Sequence, residues 1–218
     1  MHFQFLIEDW SGEVLIRHVM ENIKKEDPKV SYDCKSFGGI GGFRKTSKLS
    51  DVKTNKLLND LQMYLRGFDK SLRGIGAAIF IVLDNDTRET EIFRQQLAAQ
   101  AIEAMITTDY VFCIAVEEME AWLLGDREAV FTAYPKAREN IYKEYKQDSI
   151  CGTWETLANI VFSGGMKEFK KECPTYREVG KYKAKWADDI GRVMELDRNV
   201  SPSFNEFINE LRMRIHTA

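Results

Sequence analysis

Acidic residues stand at the ends of three apolar segments in this 218-residue chain. HFQFLI (2–7) runs into Glu8-Asp9, and AAIFIVL (77–83) runs into Asp84-Asn85-Asp86. YVFCIAV (110–116) runs into Glu117-Glu118, with Glu120 one helical step on. In a parallel α/β sheet, ligands bind beyond the carboxyl ends of the strands. Carboxylates converging there repel one another unless a cation sits between them, and hard oxygen donors select Mg2+ or Mn2+. Residues two apart on a strand point the same way, roughly 6–7 Å apart. Asp84 and Asp86 could therefore hold one ion or flank two, since paired metals in phosphoryl chemistry sit about 3.5–4 Å apart. Each acid also has an ordinary use. Asp86 with Glu89 at the third position could start a helix, and Glu8-Asp9 could be a solvated strand end. Asp84 has no such local use.

Other chemistry is less well supported. The loop GGIGG (38–42) leads into FRKTSK, but Arg44 stands where a phosphate loop beginning at Gly39 needs glycine. Arg44, Lys45 and Lys48 could still contact a phosphate backbone, or the loop could simply be solvated. His18 falls beside Leu15 and Val19 at helix spacing, which fits a packed histidine better than a base. The other histidines are His2 and His216, so a Ser/His/Asp set does not stand out. Trp10, Trp154 and Trp186 fit packing anchors better than base-stacking platforms. Cys34, Cys113, Cys151 and Cys173 are far apart, without a CxxC pair, which argues for reduced thiols rather than zinc or disulfides.

The elements that must position these acids alternate. Strand patterns are expected over 2–7, 30–37, 77–83 and 110–116. Helices are expected after Ser11 up to Pro28, along Leu57, Leu58, Leu61 and Leu65 with a stop at Gly67, and over 87–106. The uninterrupted apolar runs suit strands covered on both faces. The expectation is an α/β fold: a central parallel sheet of about four strands with helices on both faces, in a core spanning 1–126. The remainder, 127–218, reads as a mostly helical C-terminal region packed on that core, with helices over 178–197 and 203–215. The last helix starts either with Pro202 behind Ser201 or with a Ser203/Glu206 capping box.

The bulk composition is that of an ordinary globular chain, 44% hydrophobic and 30% charged. A net charge of −3 excludes a polybasic coat for nucleic acid but not a local basic groove. There is no run of about 18 apolar residues to span a membrane and no signal-peptide pattern at the start. A cytoplasmic location is expected.

Glu8 in FLIEDWSGE, with Asp84 and Asp86 in VLDNDT, resembles the Toprim domain of topoisomerases, primases and the nuclease half of overcoming-lysogenization-defect proteins. The departure is Asp9, where Toprim segments usually carry glycine. IAVEEMEAWLLGD (114–126), KAKWADDIGRVM (183–194) and SPSF (201–204) resemble Toprim-like bacterial proteins of similar length, whose genes often lie beside ATPases of phage-defence systems. Glu118, Glu120 and Asp126 match that family's acidic segment. The resemblance implies a Toprim-like fold and a Mg2+- or Mn2+-dependent nuclease or related phosphoryl-transfer enzyme acting on DNA or RNA. Glu8 would serve as general base or outer metal ligand, Asp84 and Asp86 would hold the metal, and Glu118 and Glu120 would complete the cluster or hold a second ion. The alternative is a non-catalytic interaction or regulatory module partnering an ATPase.

Overall fold

The computed structural model describes residues 1–43, 54–149 and 152–217. Arg44, Lys45 and Lys48, the expected substrate contacts, lie outside the described residues, as does Cys151. The sheet has four parallel strands in the order β2-β1-β3-β4: β1 (His2–Ile7), β2 (Ser31–Ser36), β3 (Ala77–Asp84) and β4 (Asp109–Ala115). Among the described residues, three helices connect them, α1 (Trp10–Glu26), α2 (Leu57–Ser71) and α3 (Thr90–Ala104). The central β1 and β3 are buried on both faces, as their unbroken apolar runs require.

Alternate residues of β1, β3 and β4 feed opposite sides. Phe3, Phe5, Ile7, Phe80 and Val82 join the core beneath α1. Leu6, Ile79, Ile81, Leu83, Phe112 and Ile114 join the one beneath α2 and α3. This is the period-2 geometry of a strand with no solvent face.

Beyond β4 the chain is helical: α4 (Glu120–Leu124), α5 (Arg127–Ala133), α6 (Glu139–Glu144), α7 (Thr153–Val161), α8 (Gly165–Glu172), α9 (Tyr176–Gly191) and α10 (Pro202–Thr217). The α1-side core is continuous from Phe3 and Phe5 through Trp122, Leu157, Phe169 and Trp186 to Phe204 and Phe207. Trp122 stacks on Phe207 with centroids 5.0 Å apart and gives its indole proton to Ser203 Oγ at 2.9 Å. Asp126 is fully buried, holds the Arg198 guanidinium at 2.7 and 2.8 Å, and accepts from the amides of Ala129 and Glu195. The last helix starts with Pro202 behind Ser201, whose Oγ accepts from the Phe204 amide.

Three local expectations are corrected. Gly67 does not stop α2, which runs on to Ser71 because Asp69 and Leu72 beyond it are buried; Asp69 caps the Thr107 and Thr108 amides. The helix expected to reach residue 197 ends at Gly191. Asp126 takes the Glu195 amide and the Arg198 side chain, drawing the chain into a short 3-10 turn (Leu196–Arg198). Asp86 is not the cap of α3. Glu89 is, accepting from the amides of Glu91 and Ile92 at 3.2 and 2.7 Å, while Asp86 adopts a left-handed φ of 48° in the preceding turn.

Candidate active site

The strand register brings Glu8 to Asp84. Ile7 pairs with Val82, so β3 extends past β1, and the Glu8 amide still donates to Val82 O at 3.1 Å. The Glu8 side chain then turns across the strand ends, and its Oε2 accepts from the Asp84 amide at 3.1 Å. Asp9 begins α1 as its cap, accepting from the Gly12 amide at 2.8 Å and from Ser11 Oγ at 2.8 and 2.9 Å. The turn depends on Gly12: a Cβ there would lie 2.7 Å from Met119 Sδ and 2.8 Å from an Ile7 methyl.

The glycine loop docks on the same edge, with the Gly39 amide donating to Glu8 O at 3.0 Å. Gly41, at φ 71°, has no room for a Cβ beside Asn59 and Lys56.

The ends of β3 and β4 are tied by Asn85, which is fully buried. Its Oδ1 accepts from the Glu117 amide and its Nδ2 donates to Thr90 Oγ1 at 2.7 Å. Glu117, with a left-handed φ of 63°, turns back to accept from the Gly152 amide and the Thr153 hydroxyl at the start of α7. Glu118 Oε2 takes the next amide, Trp154, at 2.9 Å. Two adjacent carboxylates thus occupy the positive end of α7.

The cation at this edge is Lys183 of α9. Its Nζ lies 3.6 Å from Glu118 and 3.1 Å from Glu120. The buried Glu120 Oε2 has this ion pair as its partner. Asp84 Oδ1 is buried with no hydrogen-bond partner among the described residues.

Proton affinities follow from this crowding. Burial pushes Glu8 up to about 7; the Asp84 amide and Lys183 oppose the rise, and Asp86 and Asp9 add to it. Burial, then the Glu8 charge, holds Asp84 well above the usual carboxylate range. Glu118 also reaches about 7 through burial and the neighbouring Glu120. Burial by itself would lower Lys183, but Glu120, Glu118, Asp84 and Asp9 outweigh it and hold the ammonium above its ordinary value.

Of the expected site residues, Glu8 and Asp84 are in contact, and Glu118 and Glu120 gather on Lys183. Asp86 is near enough to raise Glu8, yet its carboxylate is paired with Arg88 at 2.8 Å. Among the described residues, no three His, Cys, Asp or Glu side chains stand together closely enough to hold a metal ion. Lys183, Arg88 and the Ser11-Gly12 turn already take the charges of Glu118, Glu120, Asp86 and Asp9.

Lys183, Asn85 and Glu117 went unassigned from the sequence. Lys183 had a usable signal. It precedes Trp186, Ala187 and Ile190, all buried, by three, four and seven positions, so it is a lysine on the apolar stripe of α9. A lysine so placed needs a buried acid. Asn85 and Glu117 had none, because their partners lie on other elements.

No curated protein and no solved structure matches this chain. A family model described as a domain of unknown function, DUF4276, matches residues 7–212. The chain belongs to the DUF4276 family.

Proposed function

We propose that the protein is a metal-dependent phosphodiester-cleaving enzyme of Toprim type, acting on DNA or RNA. The observation that carries this is the Glu8–Asp84 pair at adjacent strand ends: the Glu8 carboxylate sits on the Asp84 backbone amide, both side chains are pushed toward protonation, and Asp84 Oδ1 is buried with no hydrogen-bond partner among the described residues. An orphaned anionic oxygen is costly unless a cation or proton satisfies it. The donors are hard oxygens of the kind that take Mg2+ or Mn2+; Asp84 would hold such an ion together with Asp86 brought in by releasing Arg88, and Glu8 would serve as general base or outer ligand. When bound, such an ion polarises a phosphoryl oxygen and lowers the pKa of the attacking water.

The chain's own groups supply the remainder. Glu8 Oε2 is engaged by the Asp84 amide, which leaves Oε1 to exchange a proton with a water; a pKa about 7 suits a general base at neutral pH. The Lys183 ammonium, 3.6 Å from Glu118 and 3.1 Å from Glu120, opposes the rise in their proton affinity that burial causes.

Divalent-ion-dependent cleavage of a mixed panel of DNA and RNA tests this. Wild type is expected to cut with Mg2+ or Mn2+, and Asp84→Ala to lose roughly a hundredfold or more of that activity, the scale of removing a group that stabilises transition-state charge. Equal behaviour of the two proteins at every metal would sink the proposal. Saturating ion should also raise the melting midpoint of wild type but not of Asp84→Ala.

One observation favours a second role, a non-catalytic module partnering an ATPase in a phage-defence system. Lys183 already neutralises two of the acids that a second metal would need. A midpoint unmoved by Mg2+ or Mn2+ would support it. The expected cytoplasmic location belongs with either role; no helix among the described residues is long and apolar enough to cross a membrane.

A further inference from the structure

Beside the carboxylates lies a groove of about 780 Å³ between the start of α1 and the first turns of α9. Asp9, Trp10 and Ser11 form one wall, Phe37 and Gly38 the end, and Arg177, Gly180, Lys181 and Ala184 the other wall. The α9 residues share one face, since their spacing is three, four and seven.

Trp10 is 60% exposed, whereas Trp122 and Trp186 are fully buried and Trp154 packs against Phe169. An indole left in water at the mouth of this groove has no packing role to account for it. Arg177 and Lys181 are exposed and form no ion pair among the described residues, although most arginines of this acidic chain do. Gly180 between them leaves open space where a Cβ would project. Asp9, the acid in the groove, already spends both oxygens on Ser11 and one also on the Gly12 amide.

We propose that this groove binds single-stranded nucleic acid, stacking an unpaired base on Trp10 and seating backbone phosphates on Arg177 and Lys181. An aromatic face beside two cations is the recurring arrangement for single strands, where stacking tolerates any base. A duplex keeps its bases inside the stack and cannot offer one to Trp10. Glu8 is two residues from Trp10, so a strand held this way runs on toward the Glu8–Asp84 edge. This names the substrate of the proposed enzyme and in that sense rests on the catalytic proposal, but binding is measurable without cleavage.

The test is fluorescence anisotropy in EDTA with labelled oligo(dT) and with the same strand in duplex with oligo(dA). Wild type should prefer the single strand. Trp10→Ala should weaken that binding roughly tenfold or more, the range of one lost base stack, and Trp10→Tyr should restore most of it. Arg177→Ala with Lys181→Ala should lower the slope of log affinity against log salt by about 1.4, two phosphate contacts on a single strand. Unchanged melting midpoints would separate these effects from unfolding. Equal or tighter duplex binding, no binding of either form, or a Trp10→Ala protein that binds like wild type would each overturn the proposal. Cleavage that survives Trp10→Ala together with unchanged binding discards the groove and keeps the catalytic site. Single-strand binding in a protein that cuts nothing keeps the groove and discards the catalysis.

Discussion

Lys183 sets the charge balance of the strand ends. It is 15% exposed at the side chain, with Glu118 at 16% and Glu120 at 3%. A pair this deep is not strong evidence of stability, but removing one partner leaves the other buried and unpaired. Lys183→Met should therefore cost about 3–5 kcal/mol at pH 8. The cost should shrink at pH 5, where the acids can take protons instead. The wild type has a related dependence. Glu8 and Glu118 titrate near 7 in the fold against an ordinary value of 4.5. An acid with a raised folded pKa binds its proton more tightly when folded, so the contribution of these two groups to stability is fully present below about 4.5, is lost as pH rises toward 7, and is flat beyond. In EDTA, urea midpoints should drop between pH 5 and pH 8, and the drop should be larger in Lys183→Met. A wild-type midpoint that rises over this interval would contradict the assignment.

At the scale of elements, the site is a junction of strand ends and helix starts. Asn85 ties β3 to β4 by accepting from the Glu117 amide, and ties the turn to α3 through Thr90. Glu117 and Glu118 then fasten β4 to the start of α7. Asn85→Ala strands the Glu117 amide in a buried place, which costs about 1–3 kcal/mol. It should also free the acidic turn, so amide exchange at Asp86 and Glu117 should accelerate more than exchange in mid-β3. Uniform acceleration would mean only a global loss of stability. The same turn explains why Glu89 and not Asp86 caps α3. Asp86 and Glu89 are both suitable acids near the start of α3, and local pattern does not say which one the tertiary turn delivers to the first free amides.

Across the whole molecule, the C-terminal helices complete the core of the sheet. Phe207 lies against Phe5, Phe80, Trp122 and Phe204 and is 1% exposed. Phe207→Ala should destabilise by about 3–5 kcal/mol in chemical denaturation. Because Phe5 and Phe80 belong to β1 and β3, the loss should appear in one cooperative transition. Two separated transitions would show that the helical region unfolds by itself.

The sequence alone determined the sheet and its acidic edge. Buried parallel strands write themselves as continuous apolar runs, and a parallel sheet must place its strand ends, hence Glu8, Asp84 and Glu118, along one edge. Helix starts were legible where one residue type does the work locally, as with Pro202. What only the tertiary structure decided is who meets whom at that edge. Register brings Glu8 onto the Asp84 amide, and α9, a hundred residues further on, delivers Lys183 between Glu118 and Glu120. Exposure likewise singled out Trp10 from the tryptophans that pack. Charge neutralisation and burial are properties of contacts between distant segments, and no local pattern encodes the distance between them.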